Sequence, residues 1–263
     1  MTLLPLLEAM RPRQWSKNVF VLAGIVFAGR LFEARAELRV LACFALFCAA
    51  SSALYLANDV ADRASDVHHP LKRTRPIASG RLSPSLAIAA SAILTLVALA
   101  GTALLNRTTL AVTAAYLAST FAYSLGLKRA FLLDVMIVAA GFVLRAVAGA
   151  SCIEAEISPW LLVCSFLLAL FLALGKRRAE LVLLGQNATD HRVALGSYSL
   201  PLVDSWLTAL AGASIVSYAL FRYQHHVVRQ DAGGDPGSLL LQDPGLWISL
   251  LAWAITAAVV IYR

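Results

Sequence analysis

Charged residues are scarce in this sequence. Only 14% of its 263 residues are Asp, Glu, Lys or Arg, whereas 60% are hydrophobic. Soluble domains carry about 25% charged residues, so this composition is typical of an integral membrane protein. An ionised side chain inside a bilayer is costly, and the few charges here are therefore expected to serve topology or chemistry.

Cysteine is also rare, and its placement argues against two kinds of site. The four cysteines lie in or beside hydrophobic stretches, and no two of them form a Cys-x-x-Cys pair. Neither a thiolate metal site nor a disulfide framework is therefore indicated. We expect these residues to be small packing residues.

Long hydrophobic stretches follow one another along the chain. Each approaches the roughly 20 residues that an α-helix needs to cross a bilayer. We predict eight transmembrane spans, at residues 18–33, 37–58, 84–105, 109–127, 132–150, 159–176, 201–221 and 245–262. The predicted fold is an all-α integral membrane bundle in which residues 1–263 form a single domain.

Basic residues predict which side of the membrane each loop occupies. Most of the 22 Lys and Arg residues lie before the first span or in alternate loops. By the positive-inside rule these loops face the cytoplasm, where residues 67–83 and 177–200 are expected to cap the bundle. Topology and anionic ligands thus account for the net charge of +7, and we expect no nucleic-acid partner. The predicted location is the plasma membrane, with a site that faces the cytoplasm.

Four polar side chains, Asn58, Asp59, Asp62 and Asp66, end the second span. At about 100° per residue they share one arc of a single helix, with Tyr55 on the same side. Carboxylates that converge at a membrane boundary repel one another unless cations or a shared proton neutralise them. Packing does not require such residues here, so the stretch predicts a binding site.

A basic segment follows, with Lys72, Arg73 and Arg75 between two prolines. Oxygen donors without His or Cys suit a hard cation such as Mg²⁺, which is usually held by one or two carboxylates plus substrate phosphates. Arginine binds phosphate through two parallel hydrogen bonds. We therefore predict a membrane-embedded pocket for a diphosphate substrate. A carboxylate cluster for ion or proton coupling in a transporter is the alternative.

Further polar residues lie inside or beside the other spans. Arg145 follows Asp134 by about three turns on the same helix face, too far for a simple salt bridge, and an intramembrane arginine normally faces a cavity or a partner. Lys176 and Glu180 are one turn apart, although Lys176 could serve topology alone. Lys17 and its neighbour Asn18 either belong to an interfacial anchor or face the polar cavity.

The motif Asn58-x-x-x-Asp62-x-x-x-Asp66, followed by Arg75-Pro-Ile-Ala-Ser-Gly80, resembles the first signature of the UbiA family of membrane prenyltransferases. The wider set of motifs, from about residue 10 to 220, is similar to a phosphoribosyltransferase branch of that family. The resemblance implies a helical bundle around a central cavity. It also implies transfer of 5-phosphoribose from 5-phosphoribosyl 1-diphosphate to a polyprenyl (decaprenyl) phosphate. Pyrophosphate would be released, and the product would feed cell-wall arabinan synthesis.

The same resemblance implies roles for individual residues. Asp59, Asp62 and Asp66 would be catalytic, and Mg²⁺ would be held by Asn58, Asp62 and Asp66. The implied substrate-binding residues are Lys17, Asn18, Tyr55, Lys72, Arg75, Tyr123, Lys128, Asp134, Arg145, Lys176 and Glu180. The implied partners are the two substrates and the lipid bilayer, and homo-oligomerisation is left open.

Two departures from the family pattern keep alternatives open. Prenyltransferases usually carry a second pair of carboxylates, whereas here Asp134 is followed at the matching spacing by Val138. This favours the phosphoribosyltransferase branch over transfer of a polyprenyl group from its diphosphate to an aromatic acceptor. The family usually has nine spans and we predict eight, so a non-catalytic or transporter-like membrane protein is the other alternative.

Overall fold

The structure is a computed structural model, and it describes residues 3–184 and 193–229. Within these ranges it consists of helices and connecting turns, without strands. The α-helices are α1 (Leu3–Met10), α2 (Ala23–Phe27), α3 (Ala34–Ala61), α4 (Arg63–His68), α5 (Pro84–Leu105), α6 (Arg107–Leu125), α7 (Leu133–Cys152), α8 (Pro159–Leu184) and α9 (Leu200–Arg229). Short 3₁₀ helices occupy Pro12–Leu22, Lys72–Thr74, Leu127–Arg129 and Val193–Ser197.

The predicted all-α membrane bundle is confirmed. Five helices, α3, α5, α7, α8 and α9, are long and apolar enough to cross a membrane. Helix α6 coincides with the fourth predicted span. The eighth predicted span, 245–262, lies outside the described residues. The chain is therefore a multi-pass membrane protein.

The first predicted span, 18–33, is not one regular α-helix, so the helical form of that prediction is wrong, whereas a membrane crossing by this part of the chain stays a prediction. The chain instead forms the 3₁₀ helix Pro12–Leu22 and then the short α2. A 3₁₀ helix rises about 2.0 Å per residue against about 1.5 Å for an α-helix. The two segments together therefore extend roughly 30 Å, which equals the thickness of a hydrocarbon core.

Local capping explains where two of the central helices begin. The Ser83 side chain accepts a hydrogen bond from the Leu86 amide, and Pro84 occupies the first turn of α5. Asn106 caps α6 in the same way through the Thr109 amide. The end of α8 differs from expectation, because this helix continues to Leu184. Residues 177–184, predicted as part of the second cytoplasmic loop, are thus helical, and that part of the prediction is wrong.

Small residues allow the closest helix crossings in the bundle. A Cβ atom added at Gly149 of α7 would lie 1.7 Å from the Val21 carbonyl oxygen, and one at Gly24 would lie 2.1 Å from the Ala150 amide nitrogen. Membrane helices associate largely through such close packing. Helices α3 and α7 contact each other, α6 and the first 3₁₀ helix, so together they form the centre of the bundle. Three of the four cysteines are buried and all four are free.

Candidate active site

A cavity of about 270 Å³ lies between α3, α6, α7 and α8. Six predicted site residues line it, namely Lys17, Tyr55, Asn58, Tyr123, Arg145 and Lys176. Other polar residues of the lining are Ser51, Tyr116, Thr120, Ser124 and Arg177. The rest of the lining is apolar and includes Leu54, Ile137, Val138, Phe142 and Ala173, so the cavity combines cations that suit an anionic group with an apolar wall.

The cavity has a basic mouth and a polar floor. Lys176 and Arg177 lie near the same end of the bundle as Asn58, and we call this end the mouth. Along α7 the lining continues to Arg145, about 18 Å from the start of the helix. Arg145, with Ser51 and Tyr116, forms what we call the floor. The floor therefore lies beyond the middle of a helix that is roughly 30 Å long.

The guanidinium of Arg145 is held by neutral groups. Nε donates to Asn18 Oδ1, Nη1 to the Gly141 carbonyl oxygen and Nη2 to the Tyr116 hydroxyl, each at 2.8 Å. The cation also lies 4.6 Å from the centre of the Tyr116 ring. Within the described ranges Arg145 forms no salt bridge, although its side chain is buried. The floor thus carries a positive charge that is not paired with a carboxylate of the described residues.

Asn18 is fully buried and does not line the cavity. Its amide nitrogen lies 3.3 Å from Cys48 Sγ and 3.2 Å from Ser51 Oγ, while its oxygen accepts from Arg145. The side chain thus connects the first 3₁₀ helix to α3 and α7. Lys17 therefore lines the cavity, whereas Asn18 lies outside the lining and contacts Arg145.

Two of the predicted aspartates form a buried ion cluster with arginine. Asp59 and Asp66 are 3% and 1% exposed. Arg75 Nη1 lies 3.2 Å from Asp59 Oδ1 and 2.7 Å from Asp66 Oδ2, and Arg11 also pairs with Asp59. Lys72 Nζ is 3.9 Å from Asp66. In this structure the carboxylates are therefore neutralised by the chain's own cations.

The four polar residues of the acidic stretch do not belong to one helix, so that expectation is wrong. Helix α3 ends at Ala61, and α4 begins after a turn at Asp62. The Ser65 hydroxyl donates to the Asp62 carbonyl oxygen at 2.8 Å, and such local side-chain bonds compete with regular helix geometry. Asn58 lines the cavity, whereas Asp59 on the same helix and Asp66 on α4 contact Arg75.

The predicted metal ligands would have to release cations before they could bind a metal ion, because Arg75 and Lys72 pair with Asp66. In the described part of the chain no three His, Cys, Asp or Glu side chains are grouped to hold a metal ion. Mg²⁺ in phosphate-binding sites needs only one or two carboxylates, with phosphate oxygens and water as the other ligands. Asn58, Asp62 and Asp66 offer oxygen donors on successive turns. The backbone bonds Asp62 N to Asn58 O (2.8 Å) and Asp66 N to Asp62 O (2.9 Å) maintain that spacing.

Asp134 lies in a buried network near the mouth and is not part of the lining. Its Oδ1 accepts from the Tyr198 hydroxyl at 2.6 Å, and its Oδ2 is 2.9 Å from Arg177 Nε. Arg177 also pairs with Glu180, whose carboxylate is 3.9 Å from Lys176 Nζ. Burial and the hydrogen bond to Asp134 raise the pKa of Tyr198.

Some predicted site residues lie away from the cavity. Conversely, some residues of the site were not predicted. Lys128 lies on the 3₁₀ helix Leu127–Arg129, outside the lining. Arg11 and Arg177 were not predicted as site residues, since each pairs with an aspartate that is distant in sequence. In the sequence, only the spacing between Arg177 and Glu180 could have indicated that Arg177 belongs to the site. A second cavity of about 350 Å³, lined by Arg30, Trp160 and others, contains none of the predicted site residues.

Comparison with known proteins agrees with this architecture. Residues 18–261 match the model of the UbiA prenyltransferase family. Decaprenyl-phosphate phosphoribosyltransferase of Corynebacterium glutamicum is 34% identical, over 98% of this chain and 86% of that protein. The protein of that name from Mycolicibacterium smegmatis is 33% identical, over 98% of this chain and 92% of its own length.

Solved structures share the fold. The structure of a UbiA homolog from Archaeoglobus fulgidus bound to GPP and Mg²⁺ aligns with a TM-score of 0.71. It is 17% identical, and the alignment covers 96% of this chain and 86% of that one. The chain therefore belongs to the UbiA prenyltransferase family and is a membrane-bound transferase.

Proposed function

We propose that this protein transfers 5-phosphoribose from 5-phosphoribosyl 1-diphosphate to a polyprenyl phosphate such as decaprenyl phosphate, and that it releases pyrophosphate. The names of two relatives at about one-third identity support the acceptor and the transferred group. The observation in this structure that carries the proposal is the charged floor of the cavity, where Arg145 has no carboxylate partner among the described residues.

The two candidate donors differ in where their charge lies. A polyprenyl diphosphate has one anionic end and a long apolar chain, whereas 5-phosphoribosyl 1-diphosphate has anionic groups at both ends and hydroxyls between them. The cavity is lined by Lys176 and Arg177 towards the mouth, by tyrosine side chains along its walls, by Lys17, and by Arg145 at the floor. A buried, unneutralised guanidinium is costly, and a phosphate would offset that cost through charge-assisted hydrogen bonds. This arrangement favours the donor with two anionic ends.

In the proposed complex the 5-phosphate lies against Arg145 and the diphosphate lies at the mouth. Asn58, Asp62 and Asp66 would hold a divalent cation there, which we propose to be Mg²⁺. When bound, that ion would supply positive charge to the diphosphate. The proposed cationic contacts of the diphosphate are Lys17, Lys72, Arg75, Lys128 and Lys176. The Mg²⁺ in the structure of the Archaeoglobus fulgidus homolog supports a divalent metal.

The proposed reaction is a displacement at C1 of the ribose. An oxygen of the lipid phosphate forms a bond to C1 while the bond from C1 to the diphosphate oxygen breaks, and pyrophosphate leaves. The lipid phosphate is already an anion, so it needs no general base. Positive charge that develops at C1, by analogy with glycoside cleavage, would be favoured by nearby acidic groups. Asp59 is occupied by Arg11 and Arg75, and we propose that it orients Arg75 towards the diphosphate.

The proposed orientation places the mouth on the cytoplasmic side of the plasma membrane. Water-soluble 5-phosphoribosyl 1-diphosphate would enter there, while the lipid phosphate would approach from the bilayer. The excess of basic residues in the loops around the mouth supports this orientation. We further propose that the product supplies cell-wall arabinan synthesis.

Purified protein in lipid with Mg²⁺ provides the test. We expect pyrophosphate release from 5-phosphoribosyl 1-diphosphate only when a polyprenyl phosphate is present. Turnover of a polyprenyl diphosphate with an aromatic acceptor instead would support the prenyltransferase alternative. Inactivity with both donors would support a non-catalytic or transporter-like protein.

A further inference from the structure

Asp134 of α7 and Arg177 of α8 form a buried ion pair, and its two members have different roles. We infer that Arg177 binds the diphosphate of the substrate and that Asp134 and Tyr198 are positioning residues that hold its guanidinium. For the identity of the full substrate this inference rests on the proposed function, but the contact itself requires only a diphosphate group.

Asp134 is not available to a ligand. Its side chain is fully buried and does not line the cavity. One carboxylate oxygen accepts from the Tyr198 hydroxyl, and the other lies 2.9 Å from Arg177 Nε. A carboxylate would in any case repel a diphosphate. Asp134 therefore affects an anionic substrate through Arg177.

Arg177 lines the cavity although only 4% of its side chain is exposed. Its Nε faces Asp134 and its Nη1 pairs with Glu180. In residues 3–184 and 193–229 no hydrogen bond occupies Nη2. The guanidinium thus retains donors for a ligand in the cavity, next to Lys176.

The pair is held rigidly on the side away from the cavity. The Tyr198 hydroxyl donates to Asp134 and accepts from the Leu132 amide at 3.2 Å, and the Tyr198 ring lies 4.9 Å from that of Phe131. A guanidinium fixed in this way loses little conformational freedom when it binds an anion. It also presents its planar donors in one orientation, which suits the oxygens of a diphosphate.

A second arginine–aspartate pair, between α8 and α9, provides a matched control. Arg178 pairs with Asp204, and these side chains are 44% and 46% exposed. Neither residue lines the cavity. The variants Arg177→Met and Arg178→Met therefore remove the same charge from neighbouring positions, one buried beside the cavity and one exposed.

The probe is inorganic pyrophosphate with Mg²⁺, titrated calorimetrically into the protein in lipid nanodiscs. We expect Arg177→Met to weaken pyrophosphate binding by roughly 10-fold or more, because hydrogen bonds to charged groups are the strong class. Arg178→Met should bind as the unmodified protein does. Tyr198→Phe should weaken binding several-fold. Adding Tyr198→Phe to Arg177→Met should have no further effect, because a positioning residue acts only through Arg177.

Two results would overturn the inference. Unchanged pyrophosphate affinity in Arg177→Met, with only a lower unfolding temperature, would show that Arg177 stabilises the packing of α7 against α8 and does not bind the ligand. Independent, multiplicative losses in the Tyr198→Phe and Arg177→Met variants would remove the positioning role. The probe contains no ribose, so Arg177-dependent pyrophosphate binding without turnover of 5-phosphoribosyl 1-diphosphate would refute the proposed function while upholding this inference.

Discussion

Replacing Arg145 with Met should sharply reduce the preference for a donor with a 5-phosphate over a donor without one. Methionine retains an unbranched side chain but removes the charge and the hydrogen bonds of the guanidinium. In the proposed complex Arg145 is the floor residue that contacts the 5-phosphate. The substitution should therefore affect one particular group of the substrate.

The size of this effect follows from the contacts at the floor. Hydrogen bonds to charged groups contribute about 1.5–3 kcal/mol each. A coupling of about 2 kcal/mol between Arg145 and the 5-phosphate corresponds to roughly 30-fold in kcat/KM. The three hydrogen bonds from Arg145 to Asn18, Gly141 and Tyr116 are also lost, so stability should fall as well. Relief of an unneutralised buried charge should offset part of that fall.

The assay compares 5-phosphoribosyl 1-diphosphate with ribosyl 1-diphosphate, each with the unmodified protein and with Arg145→Met. The unmodified protein should have a higher kcat/KM with the phosphorylated donor than with the other donor. In the variant the ratio of these two kcat/KM values should be roughly 30-fold lower. Arg39→Met is the control, because Arg39 donates to the carbonyl oxygens of Cys152 and Leu105 away from the cavity. It should reduce stability without changing the preference. Equal losses for both donors in Arg145→Met would refute the placement of the 5-phosphate at the floor.

Two further substitutions test the metal site and the helix packing. Asp62→Asn should abolish divalent-metal-dependent turnover and leave the unfolding temperature unchanged, and full turnover in this variant would contradict the metal assignment. Gly149→Ala should lower the unfolding temperature markedly, because the new Cβ would lie 1.7 Å from the Val21 carbonyl oxygen. Gly212→Ala in α9 is its control, since a Cβ there meets no atom within 4 Å. Equal unfolding temperatures of the two alanine variants would refute the packing argument.

The parts of the fold that depend on local sequence were predictable. The third span was predicted at 84–105, and α5 has those bounds, because a continuous apolar run follows the capping Ser83 and Pro84. The first span could not be predicted in the same way. Its 3₁₀ geometry coincides with the buried contacts of Asn18 with Ser51 and Arg145, which are 33 and 127 residues away in sequence.

The same distinction, between features set by local sequence and features set by contacts distant in sequence, applies to the site. The acidic stretch and its need for cations could be predicted from residue type and spacing. That Arg11 pairs with Asp59, 48 residues away, could not, because nothing local connects them. Helical spacing singled out Lys176, which is 67% exposed, whereas the buried partner of Asp134 is Arg177. Burial of one arginine rather than its neighbour depends on how α7 and α8 pack, and spacing alone does not determine it.

The most direct test of the proposed reaction follows two phosphorus labels. 5-Phosphoribosyl 1-diphosphate labelled in its 5-phosphate, and a second sample labelled in its terminal β-phosphate, are incubated with the protein, Mg²⁺ and a polyprenyl phosphate, and the lipid is then extracted. We expect the 5-phosphate label in the lipid fraction and the β-phosphate label in aqueous pyrophosphate. The β-phosphate label in the lipid, or no label there from either sample, would contradict phosphoribosyl transfer.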